Sequence, residues 1–65
     1  MKESTLIAFN NVLEKGISSD DLLKEVLESI ALFEKGITTG EEMVKVYDTL
    51  ANVRDYLEVQ AYQRG

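Results

Sequence analysis

Two pairs of neighbouring carboxylates, Asp20-Asp21 and Glu41-Glu42, are the residues of this sequence best suited to acid and base chemistry. Paired carboxylates catalyse hydrolysis when a cleft holds the two groups at a fixed separation. Here each pair follows Ser or Thr residues that can cap a helix, and the helix dipole favours negative charge in a first turn. We therefore expect these carboxylates to stabilise helix starts and not to catalyse a reaction.

The remaining composition also disfavours an enzyme. The chain contains no His and no Cys, so it lacks the usual proton shuttles, the strongest nucleophile and the ligands of zinc. Its four glycines are isolated and form no phosphate-binding loop, and neither acidic pair has the spacing of a calcium loop. The sequence predicts no enzyme, no cofactor and no metal site.

The charge pattern limits the partners that the chain can bind. Its 12 acidic and 7 basic residues give a net charge of -5 and are interspersed along the sequence. Because binding to a nucleic-acid backbone depends on clustered Lys and Arg, a nucleic-acid polymer is not an expected partner. The apolar run at residues 6–9 is too short for a signal peptide or a membrane span. A protein of the cytoplasm without a membrane partner is expected.

Residue types that are common in binding sites concentrate near the C-terminus. Tyr and Arg are enriched at binding hot spots, and an Arg beside tyrosines can hold a planar anionic ligand by stacking and charge-assisted hydrogen bonds. In a purely structural interpretation, Arg54 pairs with Glu58 one turn away and the tyrosines shield the edge of the core. The candidate binding residues are Lys45, Tyr47, Arg54, Tyr56 and Tyr62.

These residues must be positioned by helices, whose ends a repeated segment indicates. Residues 13–19 and 33–39 share Glu-Lys-Gly-Ile followed by two hydroxyl residues. In each copy, Lys complements the end of the helix dipole, Gly takes a left-handed conformation after the last turn, and Ser or Thr caps the next helix. Both copies therefore predict a helix end followed directly by a helix start.

The intervals between these joints predict a single all-α domain, residues 1–65, with helices near 3–15, 19–35 and 40–62. Apolar residues recur at helical spacing in each interval, as expected for stripes that face a common core. Short joints favour antiparallel neighbours, so the expected architecture is an up-down-up arrangement of three helices with a long C-terminal helix. The three stripes are Leu6, Phe9 and Leu13; Leu22, Leu23, Val26, Leu27, Ile30 and Phe33; and Met43, Val46, Leu50, Val53 and Leu57.

The third helix is longer than the other two, and we expect its last turns to project beyond them with apolar side chains uncovered. A chain of this size without disulfide or metal often gains stability by self-association, so a helical homo-oligomer is predicted. The candidate interface residues are Val53, Tyr56, Leu57, Val59 and Ala61.

Two functional hypotheses follow from these features. The first is a non-enzymatic interaction protein that self-associates and acts as an adaptor or inhibitor by binding a protein partner through its C-terminal helix. The alternative is a protein that sequesters a small, anionic, nucleotide-like ligand in pockets between subunits. Small proteins of bacterial viruses that counter host defence can act in this second way.

Overall fold

The computed structural model describes residues 2–64 and is all-helical over this range. The elements are α1 (Glu3–Lys15), α2 (Ser19–Lys35) and α3 (Gly40–Arg64). The three predicted helices are confirmed, and α3 extends two residues beyond its predicted end. Residues 1 and 65, which the predicted domain included, lie outside the described residues.

The first joint has the structure that its sequence predicts. Gly16 adopts φ 61° and ψ 40°, and its N–H donates to the Val12 carbonyl. The Ile17 N–H also donates to Val12 at 3.1 Å, which is the bond that closes a Schellman motif. The Ser18 side chain then accepts from the Asp21 N–H at 3.3 Å and caps α2.

The second joint starts α3 as predicted but ends α2 differently. Thr39 Oγ1 accepts from the Glu42 N–H at 3.1 Å and donates to the Glu42 carboxylate at 3.0 Å, so Thr39 caps α3. Gly36, however, combines φ 88° with ψ 108° and donates its N–H to the Phe33 carbonyl. The chain therefore leaves α2 in a more extended conformation than the left-handed turn at Gly16.

The two shorter helices pack against α3 and not against each other. No Cα atom of α1 lies within 8 Å of a Cα atom of α2, whereas both helices have such contacts with α3. Along α1, Thr5 bonds to Glu58 and Lys15 to Asp48, and along α2, Glu28 pairs with Lys45 and Lys35 with Glu42. Both helices thus run opposite to α3 and in the same direction as each other. The predicted up-down-up order is wrong, because the first joint continues the chain along α3 and does not reverse it.

The antiparallel packing of α1 on α3 also contradicts the expectation that the last turns of α3 project beyond the other helices. The 25-residue helix, about 37 Å long at 1.5 Å per residue, accounts for most of the 39 Å long dimension of the molecule. The first residues of α1 lie beside its C-terminal turns, where the Phe9 and Tyr62 rings meet edge to face. The C-terminal turns therefore do not project free of the other helices, and α1 covers one side of them.

The interior is small and half polar. Among the described residues, the buried apolar side chains are Ala8, Leu22, Val46 and Val59, and the buried polar ones are Thr5, Ser29, Thr49, Asn52 and Asp55. Most residues of the three predicted apolar stripes are exposed, including Leu13, Leu27, Phe33 and Leu50. The stripes therefore do not meet in one core, and a large apolar surface points away from the helix contacts.

Candidate interaction surface

A polar seam between α1 and α3 sets the orientation of α3. Asn11 Nδ2 donates to the Asp55 carboxylate and to Asn52 Oδ1, and Lys15 Nζ contacts Asn52 Oδ1 at 3.1 Å. Thr5 Oγ1 donates to Glu58 Oε1 at 2.7 Å. Asn52 and Asp55 are buried by this contact. Because buried polar groups need partners, the seam fixes which side of α3 faces α1.

The contact between α2 and α3 is bordered by two ion pairs. Lys45 Nζ lies 2.7 Å from Glu28 Oε2, and Lys35 Nζ lies 2.7 Å from Glu42 Oε2. Between them, Ser29 packs against α3 and donates its hydroxyl to the Glu25 carbonyl at 3.0 Å. Because Ser29 is small and its hydroxyl is hydrogen-bonded within its own helix, the two helices can approach closely at this position.

The ion pairs shift the pKa values of their members. The hydrogen bond from Lys45 and the positive charge of Lys45 lower the pKa of Glu28 below 4.5. The same hydrogen bond and the negative charge of Glu28 raise the pKa of Lys45. The hydrogen bond from Lys35, helped by one from Thr39, lowers the pKa of Glu42 in the same way. The Glu28 side chain is 44% exposed, so its ion pair stabilises the fold only modestly, whereas Glu42 is 20% exposed and its Oε2 atom is shielded from water.

Acid should weaken the α2–α3 contact. A carboxylate whose pKa is lower in the folded than in the unfolded state contributes stability above its ordinary pKa of 4.5 and loses it as the pH falls through the folded value. We expect the thermal midpoint to fall between weakly acidic and strongly acidic pH, and Glu28→Gln to reduce this fall. Circular dichroism melts across this pH range measure it. High salt should shrink the difference between the two proteins, and identical pH profiles at low salt would contradict the assignment.

Away from both contacts, α3 carries an exposed apolar row. Its members recur at spacings of four and three residues, which keeps them on one side of a helix. Tyr47 is 65% exposed, Leu50 55% and Leu57 60%. Arg54 is the only charged residue of the row, and its Nε atom lies 3.4 Å from the neighbouring Asp55. The row consists of Met43, Tyr47, Leu50, Arg54, Leu57 and Ala61.

A second apolar row lies on α2, next to the first. Leu23, Leu27, Ile30 and Glu34 are exposed and follow the same spacing. At 100° per residue, both rows lie about a third of a turn from the α2–α3 contact, on the side opposite the ion pair of Lys45. We call the combined surface the outer face: the α2 row together with Met43, Tyr47, Leu50 and Arg54 of α3.

The outer face ends where α2 begins. The first turn of α2 lies level with Asp48 and Asn52 of α3, since Asp21 and Leu22 line one cavity with them. Beyond this level, Leu57, Ala61 and Tyr62 are exposed where α2 does not reach, spread over about 140° of the helix circumference with Ala61 between the other two. We call this group the C-terminal patch.

The structure does not gather the five candidate binding residues into one pocket. Tyr47 and Arg54 share the exposed row of α3, two turns apart. Lys45 is paired with Glu28 on the opposite edge of the α2–α3 contact, Tyr56 is half-buried, and Tyr62 contacts Phe9. A single chain therefore brings together two of these side chains along a helix and leaves the others on different sides.

The five candidate interface residues are also divided. Leu57 and Ala61 are exposed in the C-terminal patch, whereas Val53 and Tyr56 are half-buried. Val59 is 5% exposed and lies on the side of α3 that α1 covers, so a second chain cannot reach it in this conformation. The α2 row is a surface that the sequence does not predict, because leucines at helical spacing are expected in a core. Their spacing alone would have identified a row, but not its exposure.

Among residues 2–64, two open concavities stand out, and neither is lined by Tyr47 or Arg54. One, of about 320 Å³, lies where the first joint meets α3 and is lined by charges of both signs, among them Lys15, Lys24 and Asp21. The other, of about 470 Å³, is lined by Lys2, Thr5, Glu58, Ala61 and Tyr62. Within residues 2–64, the carboxylates form no cluster of three that could hold a metal ion. None of the helices in this range has the length and apolarity needed to cross a membrane.

Comparison of the chain with protein-family models, with curated proteins and with solved structures finds no match.

Proposed function

We propose that this chain is a small non-enzymatic interaction protein, an adaptor or inhibitor that self-associates and binds a protein partner through the C-terminal patch. The observation that carries the proposal is the exposure of this patch at the one end of α3 that α2 leaves uncovered. Leu57 is 60% exposed and Tyr62 51%. Exposed apolar side chains that are grouped in this way typically mark an interaction site.

Tyr62, the aromatic member of the patch, is held in place by α1. Thr5 bonds to Glu58 between Leu57 and Tyr62, and the Phe9 ring packs against Tyr62 with centroids 5.5 Å apart. These contacts tie the patch to α1. Side chains that are ordered before binding lose less conformational entropy when a partner arrives, so the arrangement favours affinity.

The available carboxylates support a role other than catalysis. Glu42 accepts from Thr39 and pairs with Lys35, and Asp21 lies in the capped first turn of α2. These contacts have structural functions at helix starts. The proposal therefore assigns the carboxylates to the scaffold and the apolar patch to binding.

Replacing the patch should abolish partner binding without unfolding the chain. We expect the double variant Leu57→Ala, Tyr62→Ala to lower the affinity for a partner at least about tenfold, because large apolar and aromatic side chains dominate interface energies. Immobilised wild-type and variant chains are compared for the proteins that they retain from cells expressing the chain. The retained partner is then titrated by calorimetry.

The control is Leu13→Ala, which removes the same apolar atoms as Leu57→Ala from an exposed site on α1 outside the patch. It should retain the partner at wild-type affinity. The proposal fails if the double variant binds every retained protein as tightly as the wild type does.

The alternative, sequestration of a small anionic ligand between subunits, has narrower support. It rests on Tyr47 and Arg54, which present an aromatic ring and a guanidinium on one exposed row. A ligand site would need further groups from a second chain. Stabilisation against heat by a nucleotide or cyclic nucleotide, lost on Arg54→Ala, would support this function, and no shift with any of them would count against it.

A further inference from the structure

We propose that a second copy of this chain covers the outer face, related to the first by a twofold axis that lies in the plane of this face, perpendicular to the line joining Arg54 and Glu34, and brings Arg54 of each chain to Glu34 of the partner subunit. The inference deepens the proposed function and rests on its self-association, and it specifies the surface, the symmetry and the ion pair. It makes the self-association surface distinct from the C-terminal patch.

The exposed area of the single chain is larger than a monomer of its size normally shows. A folded monomer of 7.3 kDa exposes about 4,200 Å² by the usual scaling of surface with mass. This chain exposes 4888 Å². The excess of about 700 Å² is close to the roughly 800 Å² that each partner buries in a standard protein interface. One interface of ordinary size would therefore bring the chain to a normal exposure.

The placement of polar and apolar side chains supports the same conclusion. The contact between α1 and α3 buries Asn52 and Asp55, while Leu23, Leu27 and Leu50 are left exposed to water. Leucines are normally among the most buried residues, and Asp and Asn among the most exposed. A partner chain on the outer face would remove these leucines from water, at about 25 cal/mol for each Å² of apolar surface.

The geometry of the outer face suits helix-on-helix packing. Both of its rows follow alternating spacings of four and three residues, which is the pattern that packs side chains of one helix into the gaps of another. Two antiparallel helices with adjacent rows form one layer, and a second pair of the same kind can pack on it as a second layer.

The charges of the outer face identify the occupant as a second copy. Each row contains a single charged residue, Glu34 on α2 and Arg54 on α3. Glu34 makes no ion pair with any residue between 2 and 64, and Arg54 has only the 3.4 Å contact with its neighbour Asp55 within that range. The face thus carries one positive and one negative charge without a strong partner for either.

These two charges lie at opposite ends of the face. Lys35, next to Glu34, pairs with Glu42, so Glu34 lies level with the first turn of α3. Arg54 lies twelve residues beyond Glu42, about 18 Å along the axis. A twofold axis in the plane of the face, passing midway between the two charges and perpendicular to the line that joins them, exchanges their positions and forms both Arg54–Glu34 pairs at once, as an isologous interface requires. The same axis places Tyr47 and Leu50 at the centre of the interface.

Charge reversal tests the proposal. Sedimentation equilibrium from micromolar to millimolar concentration should give a dimer of the wild-type chain. Arg54→Glu and Glu34→Arg should each weaken dimerisation by about tenfold to a hundredfold, because each places two like charges in contact twice. The double variant, which restores both pairs with reversed polarity, should recover most of the wild-type affinity. Far-UV circular dichroism establishes that every variant stays helical.

Glu14→Arg is the matched control, since it makes the same charge change at an exposed site on α1. It should leave dimerisation unchanged beyond the effect of net charge. A monomer at every concentration overturns the proposal, and so does a dimer that ignores both reversals or that the double variant fails to restore. If partner binding through Leu57 and Tyr62 survives in such a monomer, the interaction function stands while the dimer proposed here falls.

Discussion

Replacing Asn11 by Asp is expected to destabilise the fold by about 3 kcal/mol and to detach α1 from α3. Asn11 donates an amide hydrogen to the Asp55 carboxylate, which is 6% exposed. The substitution exchanges this donor for a second carboxylate, so two like charges share a site with little water. A domain of this size has only about 3 to 5 kcal/mol of total stability, and the loss should consume most of it.

Asn10→Asp provides the control, because it adds the same charge one residue earlier on the exposed side of α1. In urea unfolding followed by circular dichroism, the free energy of unfolding of Asn11→Asp should be lower than that of Asn10→Asp by most of this expected loss. Amide hydrogen exchange should show the α1 amides losing protection in Asn11→Asp while those of α2 keep theirs. Equal stability of the two variants would mean that Asn11 and Asp55 do not form the seam.

Such a seam also explains the exposure of the apolar rows. Asp55 and Asn52 face α1, where Asn11 offers both of them a hydrogen-bond donor, and this orientation turns the opposite side of α3 toward water. Tyr47, Leu50 and Arg54 therefore point away from α1 as a direct result of the polar contacts. The polar contacts that fix one side of α3 against α1 thus also determine that the outer face is exposed.

The helices and most of their ends could be predicted because their signals are local. Gly16 needs a positive φ, Ser18 and Thr39 cap the helices that follow, and each effect depends on residues within one turn. Even here, local identity has a limit. Gly36 repeats the sequence context of Gly16 but adopts a different ψ, since the chain must turn back there and need not do so at Gly16.

The arrangement of the helices could not be predicted from the same signals. An apolar stripe shows which side of a helix avoids water but does not show which element covers it. Thr5, Asn11 and Asn52 are polar and appear in the sequence as surface residues, yet they form the contact that sets the direction of α1. A joint that ends one helix and starts another can either reverse the direction of the chain or continue it.

Only part of the candidate surface could be predicted, because some of its residues stand out by type and others do not. Tyr47 and Arg54 stand out by residue type, and the structure places both on an exposed row. Leu23, Leu27 and Ile30 do not stand out, because apolar residues at helical spacing are normally core residues. The residue type of Lys45 makes it a candidate for ligand binding, but its position depends on Glu28, a partner on another helix that the sequence does not reveal.

Two adjacent leucines on α2 should separate folding from self-association. Leu22 is 8% exposed against α3, whereas Leu23 is 60% exposed on the outer face. Leu22→Ala should lower the free energy of unfolding by about 3 kcal/mol, as expected for a buried leucine. Leu23→Ala should change the stability of the single chain by no more than about 0.5 kcal/mol but weaken dimerisation about tenfold. Urea unfolding and sedimentation equilibrium measure the two quantities.

The contrast is informative because the two substitutions remove the same atoms from neighbouring positions of one helix. Only the contribution of dimerisation to stability depends on protein concentration. On dilution, the unfolding curve of Leu23→Ala should therefore approach that of the wild type, whereas the curve of Leu22→Ala should stay separated from it. If Leu23→Ala destabilises the dilute chain as much as Leu22→Ala does, both leucines belong to an intramolecular core, and the outer face is not a surface awaiting a partner.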